Sequence, residues 1–158
     1  MTSRFKFSIG TLGLAALSLA GGGSPISVSK YSGKFQWVKV PALSPAALKS
    51  LHGATKLSFD VTFAANASVT KDKGGNQWFT FIVADQDSKW KWFQGSKFGG
   101  VPVTGGMIKA GKYKVTVPLT SIPASVLAGA QQTVSLGPSA SGLAKPISFS
   151  IDNVHGTH

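Results

Sequence analysis

Cysteine and glutamate are both absent from this 158-residue chain, and arginine occurs once, at Arg4. Without cysteine there is no disulfide framework, no thiolate metal site and no thiol nucleophile. Without glutamate, every side-chain carboxylate comes from Asp60, Asp72, Asp85, Asp87 or Asp152. Glycoside hydrolysis normally sets a protonated carboxylic acid against an ionised carboxylate. Asp85 and Asp87 fall in a turn-like Asp-Gln-Asp-Ser segment and Asp72 in a Lys/Gly loop, which argues against such a pair and for a protein that is not an enzyme. No Ser/His/Asp order, phosphate loop or dinucleotide fingerprint is present either. The lack of arginine removes the planar fork that reads phosphate and guanine. The net charge of +11 therefore rests on lysines spread along the chain. Their plain reading is a solvated surface, and their functional reading an acidic polysaccharide or a nonspecific polyanion, with no specific nucleic acid.

What is present begins with a leader-like segment. Arg4 and Lys6 precede an apolar stretch from Phe7 to Ala20, and Ser18-Leu19-Ala20 has the small-x-small pattern of a cleavage site. Residues 1–20 thus read as a signal peptide, residues 21–158 as a single domain, and the protein as secreted. The stretch is too short and too rich in glycine for a membrane span. The alternative makes Leu17–Ala20 and Ile26–Ser29 a hairpin about the glycine turn, the first strand of a domain truncated at its front.

From residue 26 onward, short β-rich runs recur between turn signals. Leu57, Phe59, Val61 and Phe63 alternate with Ser58, Asp60 and Thr62, and Tyr113, Val115 and Val117 with Lys112, Lys114 and Thr116. Ile147, Phe149 and Ile151 alternate with Ser148, Ser150 and Asp152. That is the period of a half-buried strand. Gln77–Ala84 is almost wholly apolar, as in a strand covered on both faces, and Lys89–Gln94 returns the chain after a turn at Asp85–Ser88. Further runs at Ile26–Tyr31, Phe35–Val40 and Gln132–Leu136 complete seven or eight strands, while the glycine-rich 99–106 and 137–142 read as loops. Ser44–Gly53 carries a Ser cap, a first-turn proline and a closing glycine, and Ser121–Gly129 repeats the idea around Pro123. The fold class is all-β, an antiparallel β-sandwich with two short helices at its rim.

The closing Ile151-Asp152-Asn153-Val154 resembles the last strand of the jelly-roll, galactose-binding-like carbohydrate-binding modules of bacterial glycanases. Leu57–Val61, an aromatic strand, Asp85–Trp92, Gly111–Leu119 and this ending follow one another in the order found there, over about residues 55–154. The resemblance implies a jelly roll and non-catalytic polysaccharide binding. It also implies a structural calcium ion to which Asp152 contributes. The acidic opening segment of many such modules is missing from this chain.

Binding of a sugar ring needs a flat apolar surface beside hydrogen-bonding groups. The candidate carbohydrate-binding residues are Trp37, Trp90 and Trp92, supported by Asp60, Gln77 and Lys114, with Asp152 as the metal ligand. Trp90 and Trp92 stand two apart, on one face of a strand, and are either exposed or part of the core. Trp78, in the apolar strand, reads as core. Ser58/Asp60/Thr62, Lys112/Lys114/Thr116 and Ser148/Ser150/Asp152 form a polar floor if their strands share a sheet. The competing class is a structural or protein-interaction sandwich whose aromatics are all internal.

Overall fold

The computed structural model describes residues 25–158; the leader and the alternative first strand lie outside the described residues. In chain order the strands are Ile26–Tyr31 (β1), Val38–Lys39 (β2), Lys56–Phe63 (β3), Ala67–Ser68 (β4), Phe79–Gln86 (β5), Trp92–Gln94 (β6), Gly99–Val101 (β7), Met107–Ile108 (β8), Gly111–Pro118 (β9), Thr133–Ala140 (β10) and Ile147–Thr157 (β11). Two short helices, Pro45–Ser50 (α1) and Ala124–Leu127 (α2), lie between strands. The Ser44 hydroxyl caps α1 by accepting from Ala47 N at 3.1 Å, as its sequence signature requires. None of the described helices is long and apolar enough to cross a membrane.

Strands with one polar face gather in a four-stranded sheet of order β1-β11-β3-β9, and the more apolar ones in a second sheet of order β2-β10-β5-β6. The strand β7 joins the second sheet on the β5 edge that β6 occupies further along. A separate β4–β8 ribbon bridges loops. With β6 and β7 counted as one edge and the ribbon set aside, eight strands remain, ordered first-eighth-third-sixth and second-seventh-fourth-fifth. This is the winding of a jelly roll.

The two inner faces meet through aromatic rings. Phe59 and Phe81 lie 5.1 Å apart, Phe63 and Phe79 5.7 Å, and Phe79 and Phe149 5.6 Å, mostly edge to face. Each such pair adds about 0.5–1.5 kcal/mol to the burial of its rings. In β11 the register shifts between Asp152 and His155, where Asn153 takes a left-handed φ of 59°. This bulge returns Val154 to the core after the alternation of Phe149 and Ile151. Beyond it Gly156 lets α1 approach, since a Cβ there would collide with the Ser50 carbonyl oxygen.

Several expected boundaries move. The apolar strand begins at Phe79 and runs through Asp85 and Gln86, so the turn starts only at Asp87. The return strand shortens to Trp92–Gln94 and the Phe35–Val40 run to two residues. Gly99–Val101 and Gly137–Ala140, expected as loops, are strand.

The shift places Asp85 inward, after Phe79, Phe81 and Val83. It is 1 % exposed, and among the described residues neither carboxyl oxygen finds a hydrogen-bond partner of ordinary geometry. Burial pushes its pKa from 3.8 up to about 7, opposed by the Gln86 backbone N–H and aided to a lesser degree by the Asp87 charge. The native chain thus keeps a proton that the unfolded chain has released above about pH 4. Stability therefore falls from about pH 4 to pH 7 and levels off above, by at most about 4 kcal/mol. Urea unfolding across this range should show the decline, and Asp85→Asn should flatten it and raise stability at pH 8. An unchanged profile in the variant would show that the carboxyl escapes burial.

Candidate functional site

The outward positions of β5 are Thr80, Ile82, Ala84 and Gln86. Ile82 and Ala84 are apolar, and both are buried although they point away from the core. Their cover comes from the flanking strands. Val38 pairs with Leu136 and both point inward, which sends Trp37 and Phe35 outward on the β2 side. Trp92 pairs with Gln86 and stands outward on the β6 side. The Trp37 and Trp92 rings meet edge to face with centroids 4.9 Å apart, as do Phe35 and Trp37 at 4.9 Å. Between them in the register lie Ser135 and Ala84, small side chains that are 5 % and 0 % exposed. Gly137 completes this arrangement, because a Cβ there would sit 2.6 Å from Phe35 Cε1. An isolated glycine in a strand commonly marks such a close approach.

The cover is incomplete on its outer side. Phe35 remains 48 % exposed, Trp92 40 % and Phe98 56 %. Further along the same face, Trp78 and Phe98 wall a hollow of about 310 Å³ whose floor holds Thr80 and Ser139. That volume lies at the lower end of ligand sites, roughly 300–1,000 Å³. Trp78 is half-buried on the outer face, not in the core as its apolar surroundings implied. Its indole N–H donates to Asp72 Oδ2 at 3.3 Å, and Asp72 Oδ1 accepts from the backbone N–H groups of Gly74 at 2.8 Å and Asn76 at 2.9 Å. Hydrogen bonding, led by Asn76, holds the Asp72 carboxyl below the usual carboxylate range. The wall residue is thus fixed by a charged acceptor at neutral pH.

The other expected site residues are dispersed. Trp90 is 68 % exposed, so it is not a core residue. It does not share a strand face with Trp92, because it sits in the turn before β6 with φ of 66°. The Asp87 side chain sets this turn by accepting from Lys89 N at 2.8 Å and Lys91 N at 3.0 Å. Trp90 lines a separate hollow of about 250 Å³ at the rim, together with Leu43, Leu48 and Gln132. Gln77 precedes Trp78, and its amide Nε2 donates to the Val69 carbonyl at 2.8 Å, fastening a loop.

Asp60, Lys114 and Asp152 lie on the outer face of the four-stranded sheet. Their strands do share one sheet, with Asp60 opposite both Lys114 and Asp152, and Ser58 opposite Thr116. The polar floor therefore exists, but the sandwich separates it from the tryptophans. Asn153 Nδ2 approaches Asp60 Oδ2 at 3.4 Å, and Asn153 N donates to Asp152 Oδ1 at 2.8 Å. Among the described residues no group of three or more His, Cys, Asp and Glu side chains gathers to hold a metal. Calcium takes six to eight oxygens, and the side-chain carboxylates that face one another here are those of Asp60 and Asp152.

Sequence reasoning does not reach Phe35, Phe98, Thr80 and Ser139 as site residues, and it puts Trp78 in the core. Gly137 was the one local signal, since a glycine between strand-forming residues asks what approaches it. No protein-family model matches the chain, and no curated protein matches it.

The close fit of Phe35 over Gly137 is open to test. Gly137→Ala should push the ring aside and change the near-ultraviolet circular dichroism of the Phe35–Trp37–Trp92 group. Overpacking should cost about 1 kcal/mol in urea unfolding. Unaltered aromatic dichroism would mean that Phe35 does not rest on Gly137.

Proposed function

We propose that this protein binds polysaccharide without altering it, through the outer face of the five-stranded sheet. The observation that carries the reading is the hollow with Trp78 and Phe98 as walls and the Thr80 and Ser139 hydroxyls as floor. Aromatic walls suit the flat C–H faces of a sugar ring, and short hydroxyls suit its alcohols. The Phe35–Trp37–Trp92 row extends the apolar surface along the same face, giving a second ring of a chain a place to lie. The resemblance of residues 55–154 to jelly-roll carbohydrate-binding modules points the same way, and a secreted location goes with it.

Affinity electrophoresis in gels containing soluble polysaccharides tests the reading. At least one glycan should retard the protein, and Trp78→Ala and Trp92→Ala should each weaken retardation about ten-fold, or about 1.4 kcal/mol. Trp90→Ala, at the rim, should have a smaller effect than either. Uniform migration of the folded protein in every gel would overturn the proposal and favour a protein partner for this face.

A further inference from the structure

The charge of the molecule is unevenly placed. At one end of the sandwich, Tyr31 pairs with Ile147, Phe63 with Gly111, and Phe79 with Ala140. Contacts of the Tyr31 and Phe63 rings with Phe79 join the two sheets at that level. The loops that close this end are bonded to one another: Thr70 N donates to the Gly142 carbonyl at 2.9 Å, Val69 N to Gly106 at 2.8 Å, and Ala140 N to Gly33 at 3.0 Å. Ala110 N reaches Asn66 Oδ1 at 2.8 Å. Into this tied set of loops and the adjoining start of β9 the sequence places Lys34, Lys71, Lys73, Lys109, Lys112 and Lys145, every one exposed. The acid in the same loops is Asp72, and its oxygens are engaged by Gly74, Asn76 and Trp78. Six positive charges thus face one negative charge that is turned inward to hydrogen-bond donors.

The hollow opens beside this end. Trp78, its wall, closes the loop that carries Lys71 and Lys73, and the Asp72–Trp78 bond ties indole and loop together. A sugar stacked on Trp78 has lysines beyond its edge. Resting on the glycan-binding reading of that hollow, we infer that the ligand is an anionic glycan, one that carries carboxylate or sulfate groups. The rings stack on the aromatic face, and the charges of the same chain run beneath the lysine loops. The chemistry selects a glycan over nucleic acid because the described residues include no arginine. Lysine's mobile point charge suits an irregularly spaced polyanion, whereas phosphate forks call for guanidinium.

The test uses the full chain, a polyuronate, the same polymer after carboxyl reduction, a sulfated polysaccharide and single-stranded DNA, with affinities measured by titration calorimetry. Binding of the polyuronate or the sulfated polymer should be at least ten-fold tighter than binding of the reduced polymer, and which of the two is tighter identifies the anion. A quadruple variant Lys71→Gln, Lys73→Gln, Lys109→Gln, Lys145→Gln should lose about ten-fold on the acidic polymer and nothing on the reduced one. Removing the same charge elsewhere, with Lys49→Gln, Lys56→Gln and Lys89→Gln at the far end and Lys114→Gln on the opposite sheet face, should change either affinity by less than about three-fold. Unfolding midpoints confirm that both variants fold. Equal affinity for acidic and reduced polymers, both lost with Trp78→Ala, would overturn the anionic preference while leaving the glycan site intact. Equal losses from the two quadruple variants would also overturn it, as would DNA binding that ignores Trp78→Ala. If no polymer binds, the glycan reading itself falls, and the anionic preference with it.

Discussion

The central strand β5 is apolar on both faces, and this condition organises the rest of the molecule. Inward, Phe79, Phe81 and Val83 join Phe59, Phe63 and Phe149 in the aromatic contact between the sheets. Outward, Ile82 and Ala84 also have to leave water, but a two-layer sandwich supplies no third layer to take them. The cover comes from large side chains on strands either side, leaning across Ser135, Ala84 and Gly137. Burying the Ile82 side chain is worth about 2 kcal/mol, which holds Phe35, Trp37 and Trp92 near the sheet. Their outer surfaces stay open because none of the described residues forms a layer above them. The residues of the proposed binding face are therefore partly structural, and a ring that is already ordered before a ligand arrives loses little freedom on binding.

The same alternation that fills the core also carries a carboxyl into it. Asp85 follows Val83 on the inward side, two positions before the hairpin turn whose geometry Asp87 sets. The two aspartates have opposite roles two residues apart. Asp87 is satisfied by backbone N–H groups at the turn, whereas Asp85 meets a nearly dry environment and is stabilised as the neutral acid. Phe93, its cross-strand partner, belongs to the strand that carries Trp92. The proton on Asp85 thus bears on the base of the hairpin that brings one aromatic of the outer face into position.

How far the sequence discloses this arrangement depends on what each residue's neighbours are. Strands with one wet face announce both their existence and their direction: Leu57 to Phe63, Tyr113 to Val117 and Ile147 to Ile151 point inward as alternation predicts. A strand covered twice has no polar phase to fix its ends, so Gln77 and Trp78 read as strand and Asp85 as turn. The Trp90–Trp92 pair misleads for another reason. Alternation holds only within a strand, and the Asp87 side chain bends Trp90 into a left-handed turn. The fate of Asp60 and Lys114 was beyond reach, because alternation assigns a side chain to inside or outside but not to one outer face or the other. Phe98 and Trp78 enter the hollow from loops, and only the folded sheet decides what they flank.

A sandwich of this winding has two outer faces and two loop ends, and this chain makes them chemically different. The four-stranded face is lined by Ser27, Ser58, Thr62, Ser148 and Ser150, with the opposed Asp60 and Asp152 among them. That surface holds Ser58 buried and a hollow of about 260 Å³ beside Ser27 and Ser148, but among the described residues it offers no indole against which a sugar ring could displace water. The aromatic face does, because releasing water from indole and phenyl surfaces is favourable and the hydroxyls beside them fix orientation. Stacking of that kind is indifferent to the charge of the sugar. Discrimination has to come from groups near the stacked ring but outside it, and the lysine-bearing loops beside Trp78 hold that position. Contact and selectivity are then carried by different parts of the molecule, joined at Trp78 by the bond of its indole to Asp72 and by Ser141, whose hydroxyl accepts from Trp78 N and donates to the Thr70 carbonyl. A change in ionic strength should act on the second and leave the first in place.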